Sequence, residues 1–112
     1  MQVDELTAVI TEALDDLKAV NTVTLSVAGL TDMMDTLVIT SGTSNRHVRA
    51  LADNAAAEAK KLGAPALGTE GEDAGEWVLV DFGDLVLHVM LPATRDFYDL
   101  ERLWAEPVAP EQ

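Results

Sequence analysis

Residues 76–82 and 85–91 are two β-branched and aliphatic runs separated only by Gly83-Asp84. A two-residue loop beginning with Gly closes a hairpin, because Gly accepts the positive φ that the primed turns require. Closure there fixes the register. Phe82 opposes Leu85, Val80 opposes Leu87, Val78 opposes Val89, and Glu76 opposes Leu91. The first three pairs are wholly apolar and define a core face. The opposite face pairs Asp81 with Val86, Leu79 with His88 and Trp77 with Met90. Aliphatic, aromatic, acidic and imidazole groups share that face, so it is either half-covered by a helix or an interaction surface. Trp is a favoured interface anchor, and Met adapts to irregular partners.

The remaining elements follow from periodicity. Leu6, Val9, Ile10, Ala13, Leu14 and Leu17 form one apolar stripe, predicting a helix over residues 3–20 with Asp4 and Glu5 in its first turn and Lys18 in its last. Alternation of Val23, Leu25 and Val27 predicts a strand over 23–27, and the nearly continuous apolar run 36–40 predicts a buried one. Gly42-Thr43-Ser44-Asn45 supplies capping oxygens for a helix whose stripe is Val48, Leu51, Ala52, Ala55, Ala59 and Leu62, with Gly63 at its end and Pro65 after it. Residues 66–69 suit a short, weak strand. Pro92 closes the hairpin, and Thr94 is a candidate cap for a helix running to about Trp104. In that helix Phe97, Leu100, Leu103 and Trp104 share a stripe that can face the core. Tyr98 is turned about 100° from Phe97 by the helical period, toward Glu101 and Arg102. The fold class is therefore α/β: a single domain with a mixed sheet of about five strands and three flanking helices. The expected domain covers residues 1–105, with a flexible acidic tail over 106–112.

The 112 residues carry twenty Asp and Glu against seven Lys and Arg, a formal charge of −13. Such a chain repels phosphate backbones, since nucleic-acid affinity comes from Lys and Arg displacing counterions. The acidity serves solubility or encounter with a basic partner. With no Cys there is no disulfide or thiolate chemistry, which fits a reducing compartment. No apolar run approaches the roughly 20 residues that span a bilayer. Met1-Gln2-Val3-Asp4-Glu5 has neither a basic leader nor an arginine-rich transit character, and the expected location is the cytoplasm.

Catalytic signals are weak. Gly42-Thr43-Ser44 before a helix is shaped like a phosphate cradle but lacks both the P-loop and the dinucleotide fingerprints. Asp81 and Asp84 are three apart across a turn, whereas a nucleotidyl-transfer site wants two carboxylates alternating on one strand. His47 and His88 have no organised nucleophile beside them. A nucleotidyltransferase-type enzyme and a plain homodimerising module are the alternatives to a partner-binding domain. No cofactor and no metal are expected.

Three stretches carry a recognisable signature: Gly42-Thr43-Ser44-Asn45-Arg46-His47-Val48; Glu70-Gly71-Glu72 leading to Glu76-Trp77-Val78-Leu79-Val80-Asp81-Phe82-Gly83-Asp84; and His88-Val89-Met90 with Phe97-Tyr98-Asp99-Leu100-Glu101-Arg102-Leu103-Trp104. In these the chain resembles the ribosomal silencing factor (Iojap-like) family, over almost its whole length to Trp104. The resemblance implies a translational repressor. Such a protein binds a basic ribosomal protein on the subunit-joining face of the large subunit and blocks the small subunit when nutrients are scarce; related factors assist large-subunit assembly. It implies a fold distantly akin to nucleotidyltransferases without their catalytic carboxylates, and a homodimer when the ribosomal protein is absent. The family's partner-contacting aromatics match Trp77 and Tyr98. With Met90, Leu79, His88 and Asp81 on the same sheet face and Glu101 flanking Tyr98, these are the expected contact residues.

Overall fold

In the interior of the sheet lies β2 (Thr36–Ser41), every residue of which is buried. A computed structural model describes residues 3–29, 34–100 and 102. The elements run α1 (Val3–Asp16), β1 (Val20–Ser26), β2, α2 (Asn45–Lys61), β3 (Gly68–Glu70), β4 (Trp77–Asp81), β5 (Leu85–Met90) and α3 (Pro92–Tyr98). The sheet has five strands in the order β1-β2-β5-β4-β3. Only β2 and β5 are parallel; the other neighbours are antiparallel. The parallel pair requires a crossover, and α2 with the β3–β4 hairpin supplies it.

Strand alternation divides the apolar residues into two layers. On one face Val38, Val78, Val80, Phe82, Leu85, Leu87 and Val89 pack under α1 and α2, which contribute Leu6, Ile10, Leu14, Val48, Leu51, Ala52, Ala55 and Ala59. The alanines of α2 let the helix axis approach the sheet, and the Asn54 amide donates to the Ala13 carbonyl at 2.8 Å, tying α2 to α1. The other face holds a smaller cluster of Val27, Leu37, Ile39 and Met90, with Leu25, Met34, Trp77, Val86 and Leu100 partly buried against it. Among the described residues, one sheet face is thus sealed by two helices and the other is covered only in part.

The α2 N-terminus is built as its sequence suggests. The Ser44 side chain accepts from the His47 backbone N–H at 3.0 Å. His47 also takes the Thr43 N–H on Nδ1 at 2.8 Å and donates from Nε2 to the Leu17 carbonyl at 2.7 Å, linking this cap to the end of α1. Ser44→Ala should cost about 1 kcal/mol, lowering the melting temperature by roughly 4–8 °C in a domain of this size. A thermal melt by circular dichroism checks this; an unchanged midpoint would show that the cap contributes nothing.

Several boundaries differ from the sequence expectations. The first helix stops at Asp16 and not at residue 20: Lys18 adopts a left-handed φ of 62°, and the Ala19 N–H returns to the Leu14 carbonyl. That is a Schellman closure with Lys in the place Gly usually takes, so Lys18 lies beyond the last turn. The first strand then begins at Val20 and carries a bulge before Val23, where Asn21 has φ 52°. The last helix starts on Pro92, with Leu91 as N-cap and no capping side chain, so Thr94 is inside it. Proline suits this first position because its φ is already helical and its missing N–H is not needed. The helix ends at Tyr98, where Asp99 turns left-handed at φ 48°; Asp is among the residues that tolerate this. Leu103, Trp104 and the expected tail over 106–112 lie outside the described residues.

Candidate functional site

The hairpin pairs as its turn dictates. Trp77 faces Met90, Leu79 faces His88 and Asp81 faces Val86, while Val78 and Val80 face Val89 and Leu87. Gly83 has φ 96°, and its N–H donates to Asp81 Oδ1 at 2.8 Å, so that carboxylate braces the turn. Trp77, Leu79, Asp81, Val86 and His88 therefore share the face that α1 and α2 leave open.

Four aromatic rings run in a line across that face. The Phe97 and Tyr98 rings meet edge to face with centroids 5.0 Å apart. Tyr98 lies 4.8 Å from Trp77, and Trp77 lies 5.8 Å from His88. The Trp77 indole N–H donates to His88 Nδ1 at 2.9 Å. Because Nδ1 accepts, the proton of the neutral ring sits on Nε2. Burial lowers the His88 pKa from 6.5 to about 4, so the ring is neutral at physiological pH.

Exposure separates anchors from supports. Tyr98 is 56 % exposed and Phe97 80 %, while Trp77, Leu79 and Asp81 are half-buried. Such large exposed rings, contiguous with an indole, form an apolar patch of the kind that marks interaction surfaces. His88 is nearly covered, and Met90 is wholly buried against Val27, Leu37 and Ile39. Met90 thus offers no surface in this conformation, contrary to the expectation that it lies among the contact residues; it supports the face from beneath. Glu101, expected to flank Tyr98, lies outside the described residues. Phe97 was expected to face the core and does not. The helix break at Asp99 uncouples Phe97 from the residues that would have shared its stripe, and it joins Tyr98 on the surface.

Beside the aromatic line, Met34, Leu79, Val86 and Leu100 form the apolar walls of a groove of about 430 Å³ that also reaches Asp81, Gly83 and His88. The turn before α2 offers little to a phosphate. Its Thr43 N–H and the helix N–H at His47 already bond within the chain, and a Cβ on Gly42 would press on the Val48 backbone. Among the described residues, no three or more His, Asp or Glu side chains are grouped to hold a metal ion. None of the described helices is long and apolar enough to cross a membrane.

Helices on one sheet face and a partly exposed aromatic patch on the other define an α/β domain. Its fold is shared with solved proteins. A crystal structure of a Chromobacterium violaceum protein superposes with a TM-score of 0.92 at 41% identity, covering 100% of this chain and 95% of that one. A Bacillus halodurans crystal structure gives 0.82 at 36% identity, covering 90% of this chain and 94% of that one. The pattern that defines the family "Ribosomal silencing factor during starvation" matches residues 1–112, and the chain belongs to that family. Ribosomal silencing factor RsfS of Chromobacterium violaceum is 44% identical over 104 residues, 93% of this chain and 85% of that protein. The mouse protein named "Mitochondrial assembly of ribosomal large subunit protein 1" is 47% identical over 73 residues, 62% of this chain and 32% of its own length. These names describe regulation and assembly, not catalysis.

Proposed function

We propose that this chain represses translation by binding a basic protein on the subunit-joining face of the large ribosomal subunit. Bound there, it keeps the small subunit from joining and slows synthesis when nutrients are limiting. The observation that carries the reading is the aromatic line of exposed Phe97 and Tyr98 with half-buried Trp77 on an otherwise acidic domain. Rings of this kind are the usual energetic centres of protein interfaces. The charge of −13 favours a basic protein over ribosomal RNA as the direct contact. The mouse relative's name supports a second role in large-subunit assembly. In the free state the same patch would be covered by a second copy of the chain. The absence of Cys suits action in the cytoplasm.

Cosedimentation with separated ribosomal subunits tests this. The wild-type chain should travel with large subunits and not with small ones. Trp77→Ala or Tyr98→Ala should weaken that binding about thirtyfold, the loss typical of a hot-spot residue, with the circular dichroism spectrum retained. Undiminished binding by the double variant would sink the site, and binding to small subunits alone would sink the mechanism.

A further inference from the structure

The groove beside the aromatic line has its own chemistry. Four residues form a two-by-two patch on β4 and β5: Leu79 opposite His88, and Asp81 opposite Val86. The apolar pair, Leu79 and Val86, lies on one diagonal, with Met34 and Leu100 adding further walls. A carboxylate stands at one end. One oxygen of Asp81 is held by the Gly83 N–H, which fixes where the group points. Its other oxygen has no bond to a described residue. Lys61–Glu58 is the sole ion pair among the described residues, so none of them neutralises Asp81. Exposed Asp84 stands in the adjoining turn, and the backbone N–H of exposed Asp35 donates to its carbonyl at 2.8 Å. The end of the groove is thus acidic. His88 brings no opposing charge, since burial keeps it neutral.

We propose that this groove is a socket for one Arg or Lys side chain of the protein partner, with the aliphatic stem against Leu79 and Val86 and the cationic head at Asp81. Long basic side chains have this division, an apolar stem ending in a charged head. An anion would face unscreened carboxylates, and a wholly apolar side chain would bury Asp81 without a counterion, which is costly. The inference rests on the docking role proposed above and names where the chain's acidity acts at short range.

Two substitutions and one small probe test it. Asp81→Asn keeps the Oδ1 acceptor for the Gly83 N–H and removes the charge. It should weaken binding to purified large subunits about tenfold, with a shallower salt dependence. Val86→Lys places an ammonium opposite Asp81 and fills the socket from within. It should abolish binding while the melting temperature is kept. Independently of any ribosome, millimolar N-acetyl-arginine amide should shift the Leu79 and Val86 methyl resonances of the wild-type chain, and not those of Asp81→Asn. Wild-type affinity and salt dependence in both variants, with no methyl shift, would overturn the socket. Methyl shifts in a chain that fails to bind large subunits would uphold the socket and overturn the ribosomal reading.

Discussion

Gly71→Ala should destabilise the domain by on the order of 3 kcal/mol and loosen its hold on large subunits as well. Gly71 follows the last residue of β3 and has φ 89°, a conformation L side chains rarely adopt. A Cβ there would overlap the Trp77 carbonyl oxygen, press on the Trp77 carbonyl carbon and come into ordinary contact with Val78 Cα. All three are backbone atoms of β4, so no rotamer change relieves the contact. Either the 71–75 turn, closed by the Gly75 N–H to the Gly71 carbonyl, must open, or the start of β4 must move. Moving β4 displaces Trp77, whose ring must lie 4.8 Å from Tyr98 to complete the patch. Small domains are stable by only about 5–15 kcal/mol, so the loss is readily measured as a shift in the urea midpoint. Gly29→Ala is the control, since a Cβ there meets nothing within 4 Å. Equal midpoints for the two variants would refute the steric account.

The hairpin was legible because its register rests on two short-range facts: a turn that admits one geometry and a side-chain period of two. From these, the two sheet faces and the placement of Trp77, Leu79, Asp81 and His88 follow without tertiary information. The stripes of α1 and α2 were legible for the same reason. What sequence pattern missed depends on contacts distant in the chain. Met90 shares a face with Trp77, and alternation cannot say that Val27, Leu37 and Ile39 cover one and leave the other half open. Phe97 looked like a core residue because the periodic stripe ran on through position 104. The left-handed turn at Asp99 has no strong signal, as Asp is an ordinary helix residue that merely tolerates such a φ. Pro92 did carry a readable signal, since proline favours the first helical turn, and it points to a start there in preference to Thr94. The Trp77–His88 hydrogen bond joins residues diagonal across two strands and depends on both rotamers. Only the opposition of Leu79 to His88 could be read from spacing.

That hydrogen bond sets the second large effect. As the pH falls from 6.5 to about 4, the folded state should lose stability relative to a His88→Asn variant. Burial holds the imidazole neutral down to about 4 in the folded chain, while the unfolded chain takes up the proton near 6.5. Between those values the unfolded state binds more protons, so folding stability declines with falling pH. Above 6.5 both states are neutral at this site and the stabilisation is fully present; below about 4 both are protonated and the loss levels off. The full loss is about 3 kcal/mol, because each pKa unit is worth about 1.4 kcal/mol. Carboxylates titrate over part of the same range, but they do so in both chains, so the difference between the two isolates His88. Urea unfolding at pH 7.5, 5.5 and 4.5 measures it. The wild type should lose stability faster than the variant at each step, and parallel declines would refute the argument. Asn can still accept the Trp77 indole N–H through its side-chain oxygen, so the aromatic face should persist in the variant. In the wild type, protonating Nδ1 removes that acceptor and sets the indole against a cation. The aromatic patch should therefore loosen over the same pH interval in which the fold weakens.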